Sequence, residues 1–363
     1  MSAQPLRITF VLPSFSPTGG ALVTWRHAGA LLERGHAVTL LAAAPPLAPP
    51  WAPGAGLLAR RWFYNRFVER IPENLDRFGV RGSAREVARV DASSAPDADV
   101  VVATSFETAE WIADWPARCG RAAYFLQDYE AWRPELEPRV DATWRLPYER
   151  IAVSRWLADL GRERFGLECR GPVGNGVDFE RFAAAPRDTG AEPVIGAVYH
   201  PSHGKGFDVL LEAFAVLARE HPSARFLVFG RNRPRAVFPA RTRFVWAPAW
   251  ERIPALFAEM DVFVHASRRE GWGLPPMEAM ASGCAVVATR TGGVPEFADE
   301  SCAEIVPPGD AAALAGSALA LLREPARRVA LGAAAARRMR AHGWEPVFER
   351  FESELSAIAS ATH

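Results

Sequence analysis

Short, continuously apolar runs alternate with amphipathic stretches twice along this chain. In the first half, residues 7–13, 37–42, 99–103 and 122–126 read as strands, and a helical stretch runs from Gly19-Gly20 to Glu33. The alternation restarts at Pro193, with strands expected over 194–199, 226–230, 243–246, 262–265 and 285–289. Strands that are apolar on both faces and separated by helices imply parallel sheets covered on both sides. A chain of 363 residues is long for a single core, so two α/β domains are expected. The boundaries are placed at 1–170 and 171–342, with 343–363 as a closing helix that packs back on the N-terminal domain. No GxGxxG follows the first strand, so the dinucleotide-binding fingerprint is absent.

Hydrophobic residues make up 49% and charged residues 23%, as in ordinary globular chains. The formal net charge is zero, which gives no reason to expect nucleic acid as a partner. Cys119, Cys169, Cys284 and Cys302 show no metal-ligand spacing and read as reduced thiols. The apolar run at 8–12 stops at Pro13, too short for a signal sequence or membrane span, so a cytoplasmic protein is expected. Residues 60–85 are rich in arginine, with Trp62, Phe63 and Tyr64 interleaved. This segment is a candidate for peripheral contact with an anionic membrane at its inner face; a solvated helical face is the alternative.

The residues suited to chemistry cluster in the second half. In open α/β sheets, ligands bind beyond the carboxyl ends of the strands. REGWGLPPMEAMASG, residues 269–283, follows such an end. Gly271 and Gly273 allow close backbone approach, and Pro275-Pro276 suit a helix start. The amides of that start favour phosphate. Glu270 precedes the glycines, and Glu278 is expected in the first helical turn after them. HGKG, residues 203–206, places Lys205 between two glycines after another strand, where an ammonium can meet phosphate oxygens. Of the 42 Lys plus Arg residues only Lys205 is lysine, leaving 42 − 1 = 41 arginines. GGVPEF (292–297, with Glu296) and NGVD (175–178) are weaker turn signals.

EGWGLPPME resembles the paired-glutamate motif of the retaining family-4 glycosyltransferases. GKGFDVLLEAF, MDVFVHASRREGWGLPPMEAMASG and TGGVPEF follow that family's order, and PTGGALVTWRHAGALLERGHAVTLL, IAVSRWL and NGVDFERF look like it too. The resemblance covers most of the chain. It implies a GT-B fold, two Rossmann-like parallel-sheet domains with the donor cleft between them and a C-terminal helix crossing back. It further implies transfer of a hexose or deoxyhexose from a nucleoside-diphosphate sugar to a saccharide or lipid-linked glycan acceptor, in glycan or polysaccharide biosynthesis. Glu270 would face the donor sugar, Glu278 the ribose and Lys205 the diphosphate, with the Gly273 and Leu274 amides assisting. The Gly19-Gly20 loop would approach the reaction centre. No cofactor and no metal are implied. Two positions depart from the pattern: His200 stands where many members have arginine, with Arg231 as a possible helper, and Gln127 stands where many have histidine. YFLQDYE also looks like a bacterial polysaccharide rhamnosyltransferase subgroup, which would take a donor such as dTDP-rhamnose. A non-catalytic nucleotide-sugar-binding subunit and a GT-B epimerase or phosphorylase are the alternatives. Asp97-Ala98-Asp99 looks like a metal-binding DxD, but it opens an apolar strand.

Overall fold

The computed structural model describes residues 4–44, 71–185, 192–234 and 236–361. The loop expected over 45–53 and residues 60–70 of the basic, aromatic segment lie outside the described residues. The chain divides into two units, one of residues 1–174 with 346–363, the other of residues 175–345.

The first unit is built on β1 (Arg7–Leu12), β2 (Ala37–Ala43), β3 (Ala84–Val87), β4 (Val100–Ala103), β5 (Arg121–Leu126) and β6 (Glu149–Ala152). They form one sheet in the order β3-β2-β1-β4-β5-β6, and every pair is parallel. The central strands β1 and β4 are buried along nearly their whole length, as a sheet covered on both faces requires. Helix α1 (Gly19–Glu33) follows β1; Thr18 caps it by accepting the Ala21 N–H at 3.2 Å. A six-residue helix, α2 (Phe106–Trp111), follows β4, and α3 (Arg155–Phe165) follows β6.

The second unit repeats the plan with β7 (Val194–Val198), β8 (Arg225–Gly230), β9 (Thr242–Trp246), β10 (Val262–His265), β11 (Ala285–Thr289) and β12 (Glu304–Val306). The order is β12-β11-β10-β7-β8-β9, again all parallel. Helices α4 (Phe207–Glu220), α5 (Leu274–Ala281), α6 (Ala311–Arg323) and α7 (Pro325–Met339) accompany it. Helices α4 and α6 share one core with the sheet, where Phe214, Leu217, Leu314 and Ala318 pack beside Ile195, Val228, Val264 and Val287.

Three strands are absent from the sequence reading. β3 (AREV), β6 (ERIA) and β12 (EIV) are each four residues or fewer and each carries charge. β3 and β12 lie at sheet edges and are only partly buried, so a continuous apolar run is not required there. β6 is also outermost in its sheet, but residues 170–173 hydrogen-bond along its outer side and its last three residues are buried.

Helix α8 (Glu345–Ser360) ends the chain, and from Pro346 onward it belongs to the first unit. Its buried residues Val347, Phe351, Leu355 and Ile358 fall at helical spacing. Phe351 packs on Phe10 of β1 and Phe125 of β5, with ring centroids 6.1 and 4.8 Å away. Burial of such a ring contributes about 1.5–3 kcal/mol. The polar face is tied down as well: Glu352 accepts from Arg34 at 2.5 Å and lies 2.9 Å from His36 Nε2. Arg350 donates to the Val173 carbonyl.

Asp99 does not stand in a metal-binding arrangement. Its carboxylate accepts from the Arg7 backbone N–H at 2.7 Å and from the Arg7 guanidinium at 2.7 Å. This lock joins the amino-terminal ends of β1 and β4, opposite the ends where ligands bind in such sheets. Among the described residues no helix is long and apolar enough to cross a membrane. All four cysteines are free thiols.

Candidate active site

The carboxyl ends of β7, β10 and β11 converge on three loops of the second unit. HGKG forms a short 3-10 turn, His203–Lys205, before α4. The loop after β10 grips that turn: the Arg268 and Arg269 N–H groups donate to the Gly204 carbonyl at 2.8 and 3.1 Å. Arg268 also forms a two-pronged pair with Asp208 in the first turn of α4, at 2.7 and 2.8 Å, a geometry suited to a planar guanidinium. Gly206 has φ +61°, and a Cβ there would lie 1.9 Å from the Ala266 carbonyl oxygen. The loops touch at a place where a side chain has no room.

The third loop closes on the same backbone. Gly292 has φ +51°, and a Cβ on it would lie 1.7 Å from the Glu270 carbonyl oxygen. Trp272 fills the space beyond, its ring 5.8 Å from that of Phe297 and its indole N–H directed at the Met277 sulfur at 2.9 Å. The three glycine-containing motifs, far apart in sequence, therefore form one packed shell.

Within that shell Lys205 Nζ donates to Glu270 Oε2 at 2.9 Å. The Glu270 side chain is 8% exposed and that of Lys205 33%. Burial by itself would push the Glu270 carboxyl up. The charge of Lys205, and after it the contact with His265, outweigh it and hold the group well below the usual carboxylate range. Two residues absent from the sequence reading take part. Ser267 Oγ donates to Glu270 Oε1 at 2.7 Å, and His265 Nε2 lies 3.4 Å from the same oxygen. A signal existed in the sequence, because His265 is the single polar residue of the apolar strand VFVH and stands at its carboxyl end.

Other expected residues gather around this pair. Partial desolvation of the His200 imidazole, whose outer surface stays exposed, lowers its pKa, and the charges of Lys205 and Arg231 act the same way. Its ring accepts the Ser202 N–H at 3.1 Å. Arg231 is half-buried at the turn after β8, and its carbonyl accepts the Trp246 indole N–H at 2.9 Å. Helix α5 begins at Leu274, with Gly273 as its N-cap and prolines next in line. The first amides of a helix have no intrahelical acceptor. Gly271 is buried in the turn before it. Glu278 is half-buried and is the fifth residue of α5, one residue further in than a helix opening at Pro275 would place it. The helix starts at Leu274, ahead of both prolines, because Gly273 supplies the left-handed turn.

The remaining expected residues lie in the first unit. Gly19 and Gly20 open α1, and a Cβ on Gly20 would lie 3.3 Å from the Gln127 amide nitrogen. Gln127 donates to Thr24 Oγ1 at 3.3 Å. This is a neutral amide–hydroxyl contact at the carboxyl ends of β1 and β5.

Two parallel six-stranded sheets, each with its loops gathered at the carboxyl ends, define a protein of the GT-B class. Residues 192–324 match the family model described as "Glycosyl transferases group 1". That match lies within the second unit, and the fold of the whole chain is GT-B. The chain is 28% identical over 209 residues to the GDP-mannose-dependent monoacylated alpha-(1-6)-phosphatidylinositol monomannoside mannosyltransferase of Corynebacterium glutamicum, covering 50% of this chain and 55% of that protein. It is 28% identical over 183 residues to the lipopolysaccharide core biosynthesis mannosyltransferase LpsB of Rhizobium meliloti, covering 44% and 52%. The chain thus spans about half the length of these curated relatives. Among solved structures, Anabaena HepE in complex with UDP-glucose superposes with a TM-score of 0.74 at 19% identity, covering 97% of this chain and all of that one. Sucrose-phosphate synthase of Thermosynechococcus elongatus gives 0.72 at 17%, covering 98% and 100%.

Proposed function

We propose that this protein transfers a hexosyl or deoxyhexosyl group from a nucleoside-diphosphate sugar to an acceptor hydroxyl, with retention of anomeric configuration, in glycolipid or polysaccharide assembly. The observation that carries the reading is the buried Glu270 carboxylate paired with Lys205 beside the amino end of α5. Breaking a sugar–diphosphate bond leaves negative charge on the diphosphate and positive charge on the sugar ring. Lys205 and the Gly273 and Leu274 amides suit the first, and groups fixed before the reaction cost no reorganisation when charge develops. Glu270, held ionised, suits the second. Glu278 offers a carboxylate to the ribose hydroxyls, and His200 and Arg231 lie near enough to Lys205 to be felt by the same diphosphate. Lys205 supplies the cation, so the reading requires no metal. In the first unit, the Gly20–Gln127 surface offers neutral hydrogen-bonding groups suited to saccharide hydroxyls.

The donor sugar follows the relatives, two of which are named mannosyltransferases, one of them GDP-mannose-dependent. UDP-glucose is the ligand in a structural neighbour, and dTDP-rhamnose is the donor that YFLQDYE suggested. A thermal-shift screen of these three compounds, with EDTA present, tests the reading. A ligand at 100 times its dissociation constant stabilises by about 2.7 kcal/mol, so one of them should raise the melting temperature by several degrees. The product's anomeric configuration, read by NMR, then tests retention. Absence of any shift, together with absence of nucleoside diphosphate release, would remove the proposal.

A further inference from the structure

Glu270 is held differently at its two oxygens. Oε2 meets Lys205, which is one-third exposed and reachable from solvent. Oε1 meets Ser267 and His265, both buried. His265 Nε2 is buried without a hydrogen-bond partner among the described residues and lies 3.4 Å from that carboxylate oxygen. Ser267 is itself fixed, because its carbonyl accepts from Thr289 Oγ1 of β11 at 2.6 Å. The Oε1 side is thus anchored to the carboxyl ends of two strands, whereas the Oε2 side rests on one flexible side chain.

We propose that His265 and Ser267 are positioning residues that keep Glu270 oriented when Lys205 leaves it for a ligand anion. Without a ligand, Lys205 pairs with Glu270. A diphosphate offers the ammonium a denser negative charge, and the ammonium turns to it. The carboxylate then loses its charged partner inside a buried site, where an unanchored ionised group is costly. The Ser267 hydroxyl continues to donate to Oε1, and His265 Nε2, 3.4 Å away, closes on the same oxygen, so Glu270 neither rotates nor takes up a proton. Its second oxygen, vacated by Lys205, is presented to the sugar. This inference rests on the donor-site reading above.

The test follows release of nucleoside diphosphate from whichever of GDP-mannose, UDP-glucose or dTDP-rhamnose the native protein turns over. Ser267→Ala and His265→Phe should each lower kcat by about 10-fold or more, the scale of one hydrogen bond to a charged group, with the donor KM moving less than about two-fold. His265→Gln, which returns an N–H near the Nε2 position, should recover most of the loss. Ser267→Ala removes a single oxygen, so it keeps the test open should a His265 variant fail to fold. In a Glu270→Gln background the same substitutions should cost nothing further, since groups acting through one residue are not additive. Equal losses in both backgrounds, or unchanged kcat in both single variants, beside a slow Glu270→Gln protein, would overturn this inference alone. Full turnover by Glu270→Gln would overturn the donor-site reading and this inference with it.

Discussion

Each unit of this molecule sets a glutamate near the carboxyl ends of its strands, and the two are driven in opposite directions. Glu270 in the second unit is held well below the usual carboxylate range. Glu130 in the first unit is half-buried and pushed up to about 8. Desolvation raises both. Glu270 faces Lys205, His265 and Ser267, which favour its charge. Glu130 faces Asp128 and Glu107, which oppose it, and the Phe106 N–H at 2.5 Å and the Tyr124 hydroxyl at 3.2 Å do not compensate. The position of a carboxylate in a Rossmann-like sheet therefore does not fix its charge; the neighbouring loops do. The second unit is built to hold charge. The first unit holds two groups pushed toward their neutral forms, Glu130 and His27, the latter lowered by burial to about 3 among the rings of Phe125, Phe348 and Phe351.

The sharpest way to break this comparison is Glu270→Gln. Loss of a preorganised charge from the reacting centre should lower kcat by roughly 10²–10³-fold, while the donor KM changes little. Steady-state kinetics that showed a raised KM and unaltered kcat would assign Glu270 to binding instead.

Lys205→Ala comes next. A charge-assisted hydrogen bond of about 1.5–3 kcal/mol predicts a loss of roughly 10- to 200-fold in kcat/KM. Lys205→Arg should rescue only in part, because a planar fork does not replace a compact ammonium in a glycine-lined turn. As Lys205 is the chain's single lysine, amine-selective acylation should inactivate the protein, and a nucleoside diphosphate should protect both activity and Lys205 in peptide mapping. Full acylation of Lys205 with activity retained would exclude the diphosphate role.

Glu278→Gln should be milder and of a different kind. The ribose is remote from the bond that breaks, so the variant should raise the donor KM, by about 10-fold, and leave kcat nearly unchanged. A fall in kcat without a change in KM would exchange the roles of the two glutamates.

The smallest effect concerns the first unit and stability alone. The folded pKa of Glu130, about 8, lies above its ordinary value of 4.5, so the folded state holds a proton that the unfolded chain has released between those values. Its contribution is then fully present below about pH 4.5 and is lost as pH rises toward 8. Glu130→Gln should therefore show a flatter decline in melting temperature than the native protein over that window. Parallel pH profiles for the two proteins would mean that Glu130 is ionised throughout.

The twofold alternation of apolar runs was enough to read the parallel sheets, because strands covered on both faces must be apolar whatever lies around them. The same rule hid β3 and β12, whose edge positions release them from it, and β6 was hidden because it is only four residues long and opens with Glu149 and Arg150. The site was legible wherever a residue type is unusual in its setting, as with the solitary lysine between glycines or the glutamate before GWGLPP. The start of α5 lies one residue earlier than the prolines suggest, because the left-handed residue that starts it is Gly273 and the prolines only follow. His265 was legible only as the end of a strand.

What the sequence determined by itself was local: which segments are apolar, where the chain must turn, and which ionisable groups stand beside flexible glycines. Only the tertiary structure decided which of those groups meet. Lys205 and Glu270 are separated by 65 positions yet lie 2.9 Å apart, because β7 and β10 are neighbours in the sheet and Gly206 and Gly292 let their loops close without a side chain between them. A carboxylate's charge depends on its neighbours within a few ångströms, and chain order alone does not set those distances.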